Sequence, residues 1–245
     1  MKNYFLMIIL MFFNHILPTM NYTICVGSTG LLFSYSIGAL AYLKTKNVNY
    51  HLVGTSGGSW CSLIYHLEQD ISNHDTLWDN YIGDRNTCIK LLNRKDMKRL
   101  QNSMKLGIKN RHSVKNISHI PLSIITTKLN NNMQHTNVII DKFDDIDDIL
   151  NYALCSSYIP YICGNQYYMV YKNEKFIDGD LFKDKKIKNN CNFYLDKATW
   201  GRKYSVTDGF TLNYDISRKL FENGWNDAMK NMQPHELIEE YELDQ

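Results

Sequence analysis

The stretch Asn49 to Glu68, NYHLVGTSGGSWCSLIYHLE, decides the fold. Asn49 to Val53 (NYHLV) is apolar and reads as a strand. Gly54 to Ser59 is a sharp turn of small residues. Trp60 to Glu68 has apolar residues at helical spacing. Inside the turn, Gly54-Thr55-Ser56-Gly57-Gly58 fits the pattern G-x-S-x-G. A serine on a tight strand-to-helix turn takes a strained backbone, and only small neighbours fit around it. The turn lifts the hydroxyl out of the sheet. The helix behind it presents free N–H groups and the positive end of its dipole to a developing negative charge. The five-residue pattern is weak alone. An apolar strand before it and an apolar helix after it supply its context.

Upstream the same unit occurs once more. Tyr22 to Val26 (YTICV) reads as a buried strand, Gly27-Ser28-Thr29-Gly30 as a turn, and Leu31 to Lys44 as a helix containing Gly38. Two strand–turn–helix units in succession predict parallel strands in an α/β sheet. Downstream, Asp75 to Lys115 is polar and helical in parts. Leu122 to Leu129 (LSIITTKL) is rich in β-branched residues and predicts a strand, with Asn137 to Ile140 as a hairpin partner. Asp144 to Ala153 begins acidic and turns apolar, as at a helix start. Tyr167 to Tyr171 and Lys175 to Ile177 read as short strands. Ser217 to Met229 reads as a helix interrupted at Gly224.

The 245 residues are 44% hydrophobic, enough for one sizeable core, and no internal repeat or linker divides them. Residues 1–20 form an apolar leader around Phe5 to Phe13 (FLMIILMFF), short for a membrane span and without an A-x-A-like cleavage site. It is open between signal peptide, anchor and packed helix, and residues 21–245 form the expected domain. The sequons at Asn21 and Asn116 matter only in a secreted chain. A net charge of +2 argues against a nucleic-acid partner. The basic run Lys183 to Lys188 (KDKKIK) is a solvated loop or a contact for anionic head groups. None of the six cysteines forms a CxxC pair, so a zinc site is not expected, and mostly reduced thiols are. Asp144-Asp145-Ile146-Asp147-Asp148 lacks the glycine turn of a calcium loop. No metal or cofactor motif is present.

A serine hydroxyl needs a base within hydrogen-bond reach. A Ser-Asp-His order is formally available through His235, but only one strand–helix unit precedes Ser56, and His235 follows Pro234 in a charged tail. The alternative is a carboxylate acting directly. Asp178 follows the strand Lys175 to Ile177 and precedes Gly179. Asp180 and Asp208 are its rivals, and an isolated Asp-Gly is usually a surface turn.

Taken in order, the glycine-containing loop Gly27 to Gly30, the elbow Gly54 to Gly58 and the pair Asp178-Gly179 (FIDGDL) resemble the patatin-like phospholipase family. The elbow extended to Trp60, GTSGGSW, is also similar to cytosolic phospholipase and phospholipase B catalytic domains. Ser123 to Leu129, Ala153 to Pro160 (ALCSSYIP) and Leu220 to Lys230 add to the likeness, which spans roughly residues 22 to 230. The resemblance implies an α/β three-layer sandwich with a central, mainly parallel sheet. It implies a fatty-acyl ester hydrolase with Ser56 as nucleophile, Asp178 as base, and Gly54 and Gly58 shaping the elbow. It places the oxyanion donors at Ser28, Thr29, Gly30 and Gly57. It also implies no cofactor, a lipid substrate and peripheral association with a membrane surface.

The loop departs from the family. Ser28 and Thr29 replace two glycines, Leu32 stands where a basic residue is common, and Phe33 replaces a later glycine. A β-branched threonine resists positive φ. Loss of one oxyanion donor costs roughly 3 kcal/mol. A non-catalytic lipid-binding protein on a degenerate patatin scaffold is therefore the competing reading. Tyr158, Tyr161, Tyr167, Tyr168 and Tyr171 either line an acyl cleft or pack as core and loop.

Overall fold

Four parallel strands carry the elbow. The computed structural model describes residues 22–46, 50–112, 117, 120–182, 191–204 and 209–232. Strand β1 (Thr23–Val26) leads through a 3-10 turn at Gly30–Leu32 into α1 (Phe33–Lys44). Next come β2 (His51–Thr55) and α2 (Gly57–Leu67). Helix α3 (His74–Tyr81), the short β3 (Ile89–Lys90) and α4 (Arg94–His112) follow. Strand β4 (Leu122–Leu129) returns as β5 (His135–Ile140), and α5 (Ile146–Ser156) comes after it. Then come β6 (Met169–Tyr171), β7 (Glu174–Ile177), β8 (Phe193–Leu195), β9 (Thr211–Leu212) and α6 (Tyr214–Asn231).

The main sheet has seven strands. The run β8-β1-β2-β4 is parallel throughout, and β5, β7 and β6 add antiparallel pairs beside it. The chain is thus a mixed α/β protein with a central, mostly parallel sheet. One face of the sheet, with Ile24, Val26, Leu52, Leu122 and Ile124, joins the large core that also contains the helices. The other face carries a small cluster of Cys25, Val53 and Ile125, with Cys191 and Tyr194 against it. The connections β1-α1-β2 and β2-α2-β4 step the same way along the sheet, so right-handed crossovers put α1 and α2 on one face.

Acidic and amide side chains cap the starts of α3, α5 and α6. The Asp145 side chain accepts the Asp148 N–H at 2.8 Å, so the acidic run Asp144 to Asp148 is a helix start. Asn73 and Asn213 cap α3 and α6 in the same way.

Two expectations need correction. The first concerns α6, which runs unbroken through Gly224. A Cβ at Gly224 would lie 2.0 Å from the Tyr35 carbonyl oxygen, and one at Gly38 would lie 2.0 Å from that of Phe221. Gly224 is there because α1 and α6 cross backbone to backbone, not because the helix breaks. Helix α1 is accordingly buried on nearly every side, from Phe33 to Leu43.

The second concerns the thiols, which are mostly free as expected but include one pair. Cys25 and Cys191 form a disulfide with a Cα–Cα separation of 5.8 Å. They meet because β8 lies against β1, a pairing invisible while Phe193–Leu195 is not recognised as a strand. Cys61, Cys155 and Cys163 are free and buried, and Cys88 is free and exposed. The apolar leader, the sequon asparagines Asn21 and Asn116, the basic run Lys183 to Lys188, Asp208 and His235 lie outside the described residues.

Candidate active site

The pairing of β4 brings the elbow and the Asp-Gly pair together. Strand β5 occupies one edge of β4 from Ile124 to Leu129. The other edge is shared. Strand β2 runs parallel to β4 and ends with Thr55 opposite Ile125. Strand β7 runs antiparallel to it and ends with Ile177 opposite Thr127. The two strands approach each other head-on, and each delivers its next residue at the level of Thr126. Those residues are Ser56 and Asp178.

The Ser56 hydroxyl donates to Asp178 Oδ2 at 2.5 Å, across 122 residues of chain. This length suits a charge-assisted O–H···O⁻ bond. Asp178 Oδ1 accepts the Asp180 N–H at 2.8 Å, so both carboxylate oxygens act as acceptors. Ser56 is 5% and Asp178 3% exposed, so both lie in a site largely shielded from water. Ser56 has φ 53° and ψ −124°, a conformation that costs a non-glycine residue about 1–3 kcal/mol.

The strained serine is held from both sides. Its N–H donates to Ser156 Oγ at 2.8 Å, and that hydroxyl donates in turn to the Ile125 carbonyl at 2.7 Å. Ser156 thus bridges Ser56 to β4 where β2 stops pairing with it. The Ser59 hydroxyl and N–H both donate to the Ser56 carbonyl, at 2.6 and 3.0 Å. The end of α5 also holds the carboxylate loop. The Asp178 N–H donates to the Tyr158 carbonyl at 2.8 Å and the Gly179 N–H to the Ser156 carbonyl at 3.0 Å. Ser156, Ser157 and Tyr158 belong to the ALCSSYIP stretch, where the sequence assigns neither serine a role. The signal was a pair of serines straight after an apolar helix, and only the fold shows what they touch.

The elbow glycines match their setting. A Cβ at Gly54 would lie 2.5 Å from Ser59 Cα, and one at Gly58 would lie 2.1 Å from the Val26 carbonyl oxygen. The loop after β1 meets the elbow at Gly57, where a Cβ would lie 3.1 Å from Gly30 O, 3.2 Å from Thr29 Oγ1 and 3.5 Å from Gly30 N. Of the four residues expected to supply oxyanion donors, Thr29, Gly30 and Gly57 converge. Ser28 is half-buried and is neither among the atoms nearest Gly57 nor in the pocket wall. Thr29 sits at φ −118°, an ordinary value for a β-branched residue, and the positive φ of 53° falls on Gly30. The expected conflict between Thr29 and loop geometry therefore does not arise. Leu32 is 1% exposed and packs with Tyr35 and Leu220, so burial in the core accounts for an apolar residue there.

A narrow apolar pocket opens at Ser56. Its wall includes Gly30, Phe33, Trp60, Leu100, Met104 and Ile159. The Trp60 indole N–H donates to Ser157 Oγ at 3.0 Å, which keeps the wall's one large polar ring satisfied. None of the tyrosines from Tyr158 to Tyr171 lines this pocket. Tyr158 donates to the Gln166 carbonyl and Tyr171 to Asp148, so their roles are in packing. A cysteine is a poor rival nucleophile here. Burial pushes the Cys163 thiol up to about 11 and the Cys155 thiol up to about 12. Among the described histidines, His51 pairs with Ser123, His74 with Ser217 and His112 with Glu68, His135 stacks on Phe182, and none of these nor His66 lines the pocket at Ser56.

The chain matches no protein-family profile and no curated protein. Among solved structures it is similar to the heterodimeric ExoU–SpcU complex from the type III secretion system of Pseudomonas aeruginosa. The match has 13% identity and a TM-score of 0.43, and it covers 86% of this chain and 51% of that one. The chain thus spans about half the length of the structure it matches.

Proposed function

We propose that this protein is a serine ester hydrolase of the patatin-like type, acting on acyl esters of lipids through Ser56 and Asp178. The observation that carries this reading is the 2.5 Å hydrogen bond from the Ser56 hydroxyl to a buried carboxylate, on a serine held at positive φ. Strain of that kind persists where the surrounding structure over-determines it, and it clusters at reactive sites.

In the reaction, Ser56 Oγ adds to the ester carbonyl carbon while its proton passes to Asp178. The carbonyl electron pair moves onto oxygen, beside the N–H groups of Gly30 and Gly57. The first N–H groups of α2 have no acceptor within the helix, which leaves that of Gly57 free for this charge. Collapse of the intermediate expels the alcohol, which leaves with the proton from Asp178. Water, activated by the same carboxylate, then releases the fatty acid and restores Ser56. Leu181 and Phe182, just beyond Asp178, are 47% and 45% exposed and supply apolar surface for a membrane interface.

The test compares the full chain with its Ser56→Ala variant, using a fluorophosphonate probe and a fluorogenic phospholipid. Labelling and hydrolysis by the wild type, with neither from the variant, are the expected results. A folded wild type that stays silent in the presence of vesicles would leave the lipid-binding scaffold as the better reading.

The pocket also predicts selectivity. Its volume is about 40 Å³, and a second cavity of about 20 Å³ lies behind Phe33 and Met104, which wall both. On that measure a water needs roughly 10–15 Å³, so the space beside Ser56 suits a short chain. With p-nitrophenyl esters of increasing length, the wild type should favour short acyl groups. Met104→Ala should merge the cavities and move the optimum several carbons longer. An optimum that stays in place would show that the acyl chain runs elsewhere.

A further inference from the structure

We infer that the side-chain hydroxyl of Thr29, and not only backbone N–H groups, donates to the oxyanion formed at Ser56. This rests on the reading of Ser56 as a nucleophile. Thr29 is 4% exposed, and its Oγ1 has no hydrogen-bond partner. A buried hydroxyl left unpaired is uncommon and destabilising, so each case calls for a physical reason. Among the described residues Ser36 Oγ, inside α1, is also buried without a partner, but the hydroxyls around the elbow are satisfied. Ser156, Ser157, Ser59 and Ser62 all hydrogen-bond to backbone carbonyls.

The location supplies the reason. Thr29 Oγ1 and Gly30 N lie side by side against Gly57, at 3.2 and 3.5 Å from where its Cβ would be. Gly57 follows Ser56 and begins α2, so its free N–H and the helix's positive end occupy the same corner. A hydroxyl without a ground-state partner beside two backbone donors is arranged for a charge that appears only during reaction. Donors fixed in advance in a water-excluded site are the kind that stabilise a transition state selectively. The step is a hydrogen bond only. Ser56 Oγ bonds to the carbonyl carbon, the C=O π pair moves to oxygen, and the proton goes to Asp178. The Thr29 proton stays on its own oxygen and points at the new charge. The loop's departure from glycine thereby becomes a substitution of one donor type for another.

Thr29→Val and Thr29→Ser separate this role from a structural one. Valine keeps the shape and removes the hydroxyl, and serine keeps the hydroxyl. We expect Thr29→Val to lower kcat and the rate of fluorophosphonate labelling about 100- to 1000-fold with KM little changed. Its melting temperature should equal or exceed that of the wild type, because an unpaired buried polar group has gone. Thr29→Ser should restore most of the rate. Wild-type kinetics in Thr29→Val would overturn the inference and leave the Ser56–Asp178 reading standing. A rate loss shared by Thr29→Ser, with a lowered melting temperature, would overturn it in favour of loop packing. A wild-type chain inert to the probe would remove both readings together.

Discussion

Asp178→Asn should lower the hydrolytic rate by about 10²- to 10⁴-fold, the range associated with loss of a positioned general base. The asparagine is nearly the same size. Its amide oxygen can still accept the Asp180 N–H that Asp178 Oδ1 accepts at 2.8 Å. Its NH₂ faces the Ser56 hydroxyl where a carboxylate oxygen now accepts at 2.5 Å. That group cannot take a proton, so Ser56 loses its base while the loop keeps its anchors at Tyr158 and Ser156. Fluorophosphonate labelling should slow in parallel, with a nearly unchanged melting temperature. Equal activity in wild type and variant would show that the contact is structural and that the proton goes elsewhere. Measuring both quantities on one preparation matters, because a collapsed site and a missing base both lower the rate but only the first lowers stability.

Gly224→Leu is expected to have the largest effect on stability. Even the first carbon of a side chain would lie 2.0 Å from the Tyr35 carbonyl oxygen and 3.0 Å from the Ala39 nitrogen, so α1 and α6 must separate. Neither obstruction is a flexible side-chain end that can swing aside. Overpacking commonly costs about 1–3 kcal/mol and sometimes more, and a backbone-to-backbone crossing belongs at the upper end. At about 2–4 °C per kcal/mol for a chain of this size, the melting temperature should fall by at least roughly 6 °C. Gly209→Ala is the control, since nothing lies within 4 Å of a Cβ there. The loss should reach the active site as well. Helix α1 starts at Phe33, directly after the turn containing Gly30, so moving α1 shifts the loop beside Gly57. A Gly224→Leu protein that melts with the wild type would mean that the two helices are not in backbone contact.

The local features of the elbow were legible in the sequence because their causes are local. A run of apolar residues, a turn of small ones and a helical period set Gly54 to Ser59 between β2 and α2. Strand β4 was readable over its whole length for the same reason, since branched residues pack well on a pleated surface. The acidic start of α5 could be read because capping acts within four residues. Gly224 was misread as a break because its cause is a carbonyl on another helix, not its own helix. The Asp178-Gly179 pair stood out through family resemblance. Its strand context did not by itself separate it from Asp180 and Asp208.

Tertiary structure alone decided what meets Ser56. Asp178 arrives from 122 residues away because β2 and β7 end head-on along one edge of β4. Ser156, 100 residues away, fills the gap in the ladder between them. Strand β8 and the Cys25–Cys191 link depend on a three-residue pairing too short for a periodic signal. The unpaired state of the Thr29 hydroxyl is likewise a property of its surroundings. Periodicity and capping act over a few residues along the chain. Strand register, helix crossing and hydrogen-bond partnership are settled between surfaces that meet only after the chain has folded.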